Sequence, residues 1–300
     1  MARDVRENQC LQSRTISASV RPQTIGKLVK NRLYCADALA TMGSWPDGCI
    51  DACITDPPYN IAKNKRGLAW AFSSHVTMAS SWDRFVGDDY AEFTLAWLKE
   101  VCRLTKPNGN IFIFGSYHNI YLIGAIVQSL GLRIINSIIW AKPNAQPNIT
   151  CRMFTESTEQ VIWLCNNDER RARKWTFNYA EVKELNSGKQ MRNFWQIPLT
   201  PKNERKFGKH PSQKPLLLME RIVLAATNIK DTVLDCFAGS GSTLVACKKL
   251  GRSFVGIERD EKYCQIARAR LKDTGKANIT AFSQAPRSRA AIVQDGASRR

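Results

Sequence analysis

Asp56-Pro57-Pro58-Tyr59 places a carboxylate, a rigid bend and an aromatic ring within four residues. Proline fixes φ and carries no N–H, so a strand ladder ends there and the carbonyls around the bend point where the turn dictates. An exocyclic aromatic amine needs such a place. The lone pair of adenine N6 is delocalised into the ring, which leaves the nitrogen a weak nucleophile. Two acceptors, the Asp56 carboxylate and the Pro57 carbonyl, can hold its two hydrogens and favour a tetrahedral nitrogen. Tyr59 can stack on a base swung out of a duplex. A second group lies far downstream, where Asp235 is followed by Phe237-Ala238-Gly239-Ser240-Gly241 and then Ser242 and Thr243. Glycines let backbone approach a ligand, and a helix N-terminus behind them offers free N–H groups to a carboxylate. Glu258 closes the next apolar run, and an acid there suits the two hydroxyls of a ribose. The loop lacks the full GxGxxG dinucleotide pattern, so by itself it also fits a tight strand-to-helix turn.

Both groups need strand ends to hold them, and the surrounding pattern supplies strands. Ile50–Thr55 is a short apolar run ending at Asp56. Helical spacing over residues 90 to 104 (Phe93, Trp97, Leu98, Val101) leads through a Pro107-Asn108-Gly109 turn into a buried strand, Ile111–Phe114. A helix from Asn119 to Leu130 is closed by Gly131, and strands follow at 134–140 and 160–164. Residues 166–209 read as irregular, with Trp175, Phe177 and Tyr179 alternating as in a strand. A helix over 215–227, the strand 232–235, a helix through Leu250 and a strand from Ser253 to Glu258 complete the series. Such alternation predicts an α/β fold, a doubly wound, mostly parallel sheet, and ligands bind at the carboxyl ends of its strands. The divisions expected are a flexible arm (1–27), a first sheet portion with Asp56 (28–165), a basic insertion (166–209), a second sheet portion (210–272) and a basic tail (273–300).

Charge narrows the partner. Lys and Arg number 44 against 26 Asp and Glu, a net charge of +18. The segment from Asp168 to Lys209 alone holds eleven basic and five acidic residues. A local excess of that kind fits a polyanion. There is no apolar signal core after Met1 and no run long enough to span a membrane, so a cytoplasmic protein is expected. The cysteines, among them Cys35, Cys53, Cys102, Cys165 and Cys236, form no CxxC pair, which favours reduced thiols over metal or disulfides. His75, His118 and His210 lack spaced partners and read as structural, with His118 a candidate for lining a pocket. No metal is expected.

With DPPY at 56–59, FAGSG at 237–241 and a basic segment between them, the chain resembles the β group of DNA amino-methyltransferases over about residues 30 to 272. The likeness extends to Asp37-Ala38-Leu39, to Trp140-Ala141-Lys142-Pro143-Asn144 and to His210-Pro211-Ser212-Gln213-Lys214-Pro215. It implies a seven-stranded, Rossmann-like methyltransferase sheet, S-adenosyl-L-methionine as cofactor and DNA, double- or single-stranded, as partner. By the same match Asp37 would touch the cofactor adenine and Glu258 its ribose. Asp235, Phe237, Gly239 and Gly241 would line the methionine and sugar portions, with Thr243 near the carboxylate. Lys214 and Pro215 would begin the element that closes over the cofactor, and Asp56, Pro57, Pro58 and Tyr59 would be catalytic. Cys236 departs from the proline many members carry. The resemblance is strongest to small site-specific methylases of restriction–modification systems, which makes a cognate restriction endonuclease and a homodimer candidate partners. Adenine N6 is the expected target. Cytosine N4 is the alternative within the chemistry, although the family more often has Ser at position 56 for it. A silent DNA-binding regulator is the alternative outside it.

Overall fold

Pro57 and Pro58 stop β2 (Ile50–Thr55) at its last ladder residue, Thr55, and leave Asp56 projecting beyond the sheet edge. The computed structural model describes residues 27–59, 89–168 and 174–275. The remaining strands are β1 (Arg32–Cys35), β3 (Thr105–Gly115), β4 (Leu132–Ala141), β5 (Thr158–Asp168), β6 (Phe194–Gln196), β7 (Thr232–Asp235) and β8 (Ser253–Glu258). They form one sheet in the order β1-β8-β7-β2-β3-β5-β4-β6. Pairing is parallel except where β5 runs against both β3 and β4.

Connections from β7 lead to β8 on one side, and those from β2 lead to β3 on the other. The crevice between the carboxyl ends of β2 and β7 is therefore the topological switch point, where open α/β sheets take their ligands. Asp56 and the glycine loop flank it.

Alternating side chains build two cores, one on each sheet face. Ile111 and Ile113 join Trp97, Leu98 and Val101 of α2 (Asp89–Leu104), Ile120 and Ile123 of α3 (Ile120–Ser129) and Met42 of the short α1 (Ala38–Met42). Phe112 and Phe114 face the opposite core, with α5 (Leu216–Ala226), α6 (Ser242–Lys249) and α7 (Glu261–Asp273). This is the doubly wound architecture that the alternation predicts.

Three expectations change. The sheet has eight strands rather than seven, because β6 adds to its edge alongside β4. That strand arises inside the stretch read as irregular, which also holds α4 (Tyr179–Leu185) and a 3-10 turn (Lys202–Arg205). Trp175 and Phe177 belong to no strand, and Tyr179 opens α4; Phe177 instead packs against Trp163 at 5.4 Å. The Pro107-Asn108-Gly109 turn is an irregularity within β3, with Asn108 at φ 63° and a register shift against β2. A side chain at Gly109 would meet the Asp51 carbonyl at 2.6 Å, so only glycine allows the strand to continue past the bulge. Residues 1–26, 60–88 (with His75), 169–173 within the expected basic insertion, and 276–300 lie outside the described residues. No helix among the described residues is long and apolar enough to cross a membrane.

Candidate active site

Thr55 Oγ1 donates to Asp235 Oδ1 over 2.9 Å, which ties the ends of β2 and β7 together. Beyond it the Asp-Pro-Pro-Tyr turn is held from a second direction. Tyr90 on α2 donates its hydroxyl to the Pro58 carbonyl at 2.6 Å, and Asn119 Nδ2 donates to that hydroxyl at 3.1 Å.

The Asp56 carboxylate meets two donors. Tyr59 OH reaches Oδ1 and Lys214 Nζ reaches Oδ2, each at 2.5 Å. Lys214 arrives from the segment just before α5. Its ammonium also lies 3.2 Å from Glu159 Oε2, and Glu159 Oε1 takes Lys142 at 3.4 Å. Two carboxylates and two ammoniums thus offset one another in a nearly dry place. Burial raises Asp56, with Lys214 opposing. Burial also pushes Glu159 up, but Lys214 and Lys142 outweigh it and leave its carboxyl below the ordinary value. Burial would lower Lys214, yet Asp56 and Glu159 hold it above its usual range. Tyr59 stays a phenol, raised well above its ordinary value by burial and by the same two carboxylates.

The glycine loop closes the other wall. Gly239 and Gly241 adopt φ of 51° and 77°, the left-handed region that glycine enters at least cost. Glu258 accepts from the Gly239 and Asp260 amides, each at 2.8 Å. It therefore fixes the loop while standing at the cavity rim. Arg270 of α7 latches the loop from behind, donating to the Ser240 carbonyl at 2.7 Å and to Ser242 Oγ at 3.0 Å; Ser242 in turn donates to the Lys214 carbonyl at 2.7 Å.

Between these walls lies a cavity of about 700 Å³, the size range of small-molecule and cofactor sites. Asp37, Asp56, Pro57, Pro58 and Tyr59 line it, as do Lys214, Asp235, Phe237, Gly239, Thr243 and Glu258. Two expected members do not. Pro215 caps α5 behind Lys214, and Gly241 turns toward α7, where a Cβ would come within 2.9 Å of Ala267. Asp37 has one oxygen engaged as the N-cap of α1, bonded to the Ala40 amide. His118 lies outside the cavity lining, beside Tyr117 at 3.9 Å. His210 is inside it, packed over Gly239 and edge-on to Tyr263. The fit to a nucleoside sulfonium rests on this chain's features: a side-chain-free cradle at Gly239, an acid at the end of β8, and carboxylates facing a cation.

A family model for DNA methylases, covering N6 and N4 amino-methyltransferases, matches residues 50–269. The chain belongs to this family. The type II methyltransferase M2.DpnII of Streptococcus pneumoniae is 42% identical over 231 residues, 76% of this chain and 85% of that protein. M2.LlaDCHI of Lactococcus lactis subsp. cremoris is 39% identical over 238 residues, 79% and 87% of the two chains. The crystal structure of the M1.HpyAVI–SAM complex superposes with a TM-score of 0.59 at 30% identity, covering 80% of this chain and 98% of that one. The protein is thus a DNA methyltransferase that uses S-adenosyl-L-methionine.

Glu159, Lys142, Tyr90 and Arg270 escape sequence reading in this methyltransferase. Only Lys142 lies in a stretch shared with the family, Trp140-Ala141-Lys142-Pro143-Asn144, and that stretch assigns it no task; each residue reaches the site through strand pairing or helix packing. Among the described residues, Cys35, Cys264 and Glu261 bring potential ligand atoms within 4.8 Å of one another. Burial raises both thiols, which keeps them protonated.

Asp235 gives the methyltransferase a pH signature. Burial lifts its carboxyl from 3.8 to about 7, against bonds from Thr243, Thr55 and the Phe237 amide. Its folded pKa exceeds the unfolded value, so its stabilising contribution is complete below 3.8 and is lost as pH rises through about 7. Without cofactor, the parent is expected to lose denaturant resistance between about pH 4 and pH 7, and Asp235→Asn should flatten that fall. Equal slopes in the two proteins would remove Asp235 as the cause.

Proposed function

We propose that the protein is a site-specific DNA adenine-N6 methyltransferase. The observation that carries this reading is a carboxylate, Asp56, at the switch-point mouth of the cavity, flanked by the Pro57 and Pro58 carbonyls and the Tyr59 ring. When bound, the cofactor supplies an electrophilic methyl group on a sulfonium. The protein's part is positioning. Asp56 and the Pro57 carbonyl accept the two N6 hydrogens and turn the nitrogen lone pair toward the cavity, while Tyr59 supports a base drawn out of the stack. The nitrogen held by Asp56 and the Pro57 carbonyl would take that methyl group, and the electrons of the broken bond would stay with the cofactor. The nitrogen then releases one proton to water.

Asp56 in place of Ser favours adenine over cytosine N4. Digests of DNA treated with purified protein and labelled S-adenosyl-L-methionine should contain N6-methyladenine. N4-methylcytosine alone would move the protein to the other base and keep the fold.

Recognition we assign to the 166–209 segment, whose exposed Lys189 and Arg192 stand with several other basic residues. A residue that contacts phosphate should, when replaced by Ala, reduce the salt dependence of DNA binding by about one unit; a base reader should cost about 1–3 kcal/mol at one position of the site. Unchanged affinity, salt slope and target site throughout the segment would move recognition to residues 60–83. The names of M2.DpnII and M2.LlaDCHI support a restriction–modification setting, and with it a cytoplasmic location and a cognate endonuclease.

A further inference from the structure

Both oxygens of Asp56 are engaged, Oδ1 by Tyr59 and Oδ2 by Lys214. Each oxygen keeps a second lone pair, but a donor already sits 2.5 Å from each, so an amine held by Asp56 competes with one of them. A buried ammonium driven from its counter-ion would be left unpaired, and an unpaired buried charge is strongly unfavourable. Here a second seat is already in contact. Glu159 Oε2 lies 3.2 Å from Lys214 Nζ and 3.3 Å from Tyr59 OH. The two groups that occupy Asp56 therefore share one alternative acceptor.

We propose that Glu159 is a positioning residue that takes over Lys214 and Tyr59 when the target amine arrives, freeing an Asp56 oxygen to hold the amine hydrogen. The inference rests on Asp56 as the amine acceptor, as proposed above. No backbone movement is required, because Lys214 Nζ already touches both carboxylates. Glu159 is fixed near the start of β5, opposite Trp140 in register, so the pairing of β4 with β5 sets its place. Lys142, two residues beyond Trp140, bonds the other Glu159 oxygen. It neutralises the second carboxylate without using the face turned to Lys214. The side chains of Lys214, Lys142 and Glu159 are only 5%, 9% and 16% exposed, so water cannot readily replace either carboxylate as a partner. Of the two carboxylates, Asp56 is the one whose charge is less well satisfied, and it gains more from a further donor.

The test is single-turnover methyl transfer by the full chain to unmethylated genomic DNA, with cofactor and DNA dissociation constants measured separately. Glu159→Gln keeps the shape and removes the charge. Its rate should fall about 10- to 100-fold while both dissociation constants stay within about threefold of the parent. Glu159→Asp should recover part of the rate. The double variant E159Q/K142M restores charge neutrality without restoring the anionic seat for Lys214, and should remain as slow as E159Q. A parent-like rate in E159Q overturns the proposal. So does a parent-like rate in the double variant, which would make Glu159 no more than a counter-ion for Lys142. If E159Q loses its melting transition, E159D carries the test, because it withdraws the acceptor by one methylene; a parent-like rate there overturns the proposal. Asp56→Ala, measured alongside, separates the two readings. A fast D56A removes Asp56 as the acceptor, whereas a slow D56A with a fast E159Q removes the role of Glu159 alone.

Discussion

Replacing Asp56 with Ala is expected to lower the rate of methyl transfer by about 100- to 1,000-fold, the scale found when one preorganised partner of a reacting group is deleted. The cofactor should still bind, because Asp56 lies at the β2 edge of the cavity and the glycine loop with Glu258 forms the opposite wall. Lys214 loses its 2.5 Å partner in this variant but keeps Glu159 at 3.2 Å. The ammonium is therefore not left without a counter-ion, and the loss in rate should not come with a collapse of the site. The discriminating pair of measurements is single-turnover transfer and calorimetric cofactor binding on the same preparation. An interaction made stronger at the transition state shows in the first and hardly in the second. Near-parental turnover would sink the mechanism.

The opposite pattern is expected for Gly239→Asp, where cofactor affinity should fall at least about 100-fold, equivalent to about 2.7 kcal/mol. Gly239 has φ 51°, and a Cβ built there would stand 3.0 Å from His210 Nε2. The new side chain is thus strained by the backbone and obstructed by a ring that Tyr263 confines at 4.2 Å. Its charge would find no cation in His210. Burial and the nearby Lys214 and Arg270 depress His210 to about 3, so the imidazole is neutral at physiological pH. Glu258 already accepts from the Gly239 amide and adds like-charge repulsion. Gly239→Ala, with the strain but not the charge, should weaken binding by only about tenfold. Unaltered cofactor affinity in Gly239→Asp would mean that the loop does not hold the cofactor.

The parts legible from sequence are those in which one short segment makes the geometry by itself. Asp-Pro-Pro-Tyr ends a strand because proline has no amide hydrogen, and Phe-Ala-Gly-Ser-Gly bends because its glycines tolerate positive φ. Periodicity likewise places α2, β7 and β8. Glu159 could not be found that way. It is one of two acids in a polar stretch just ahead of an apolar run, and its meaning depends on which residue it faces across an antiparallel pairing that local spacing does not encode. Residues 174–209 misled for a related reason. Asn110 donates to the Thr176 and Ala226 carbonyls, and Trp140 Nε1 to the Ile197 carbonyl. Long-range bonds of this kind hold a polar, basic segment against the sheet although its own pattern carries little periodicity. Trp175 and Phe177 alternate without pairing because their partners are rings and an Arg133 guanidinium rather than a neighbouring strand.

Strand order has a consequence for biosynthesis. Asp56 leaves the ribosome early, but its carboxylate is paired by a lysine 158 residues further along, and Thr55 is bonded to a residue 180 positions away. The glycine loop then waits for Arg270 before its latch can close. A nascent chain that has reached only β6 can pair β2 with β3 and form the hairpin of β4 and β5, yet it has neither a cofactor wall nor the lysine that pairs Asp56. Methylating capacity should therefore appear in a single step late in translation. Until then the exposed edge of β2, where β7 will later dock, is the part of the growing chain most open to mispairing.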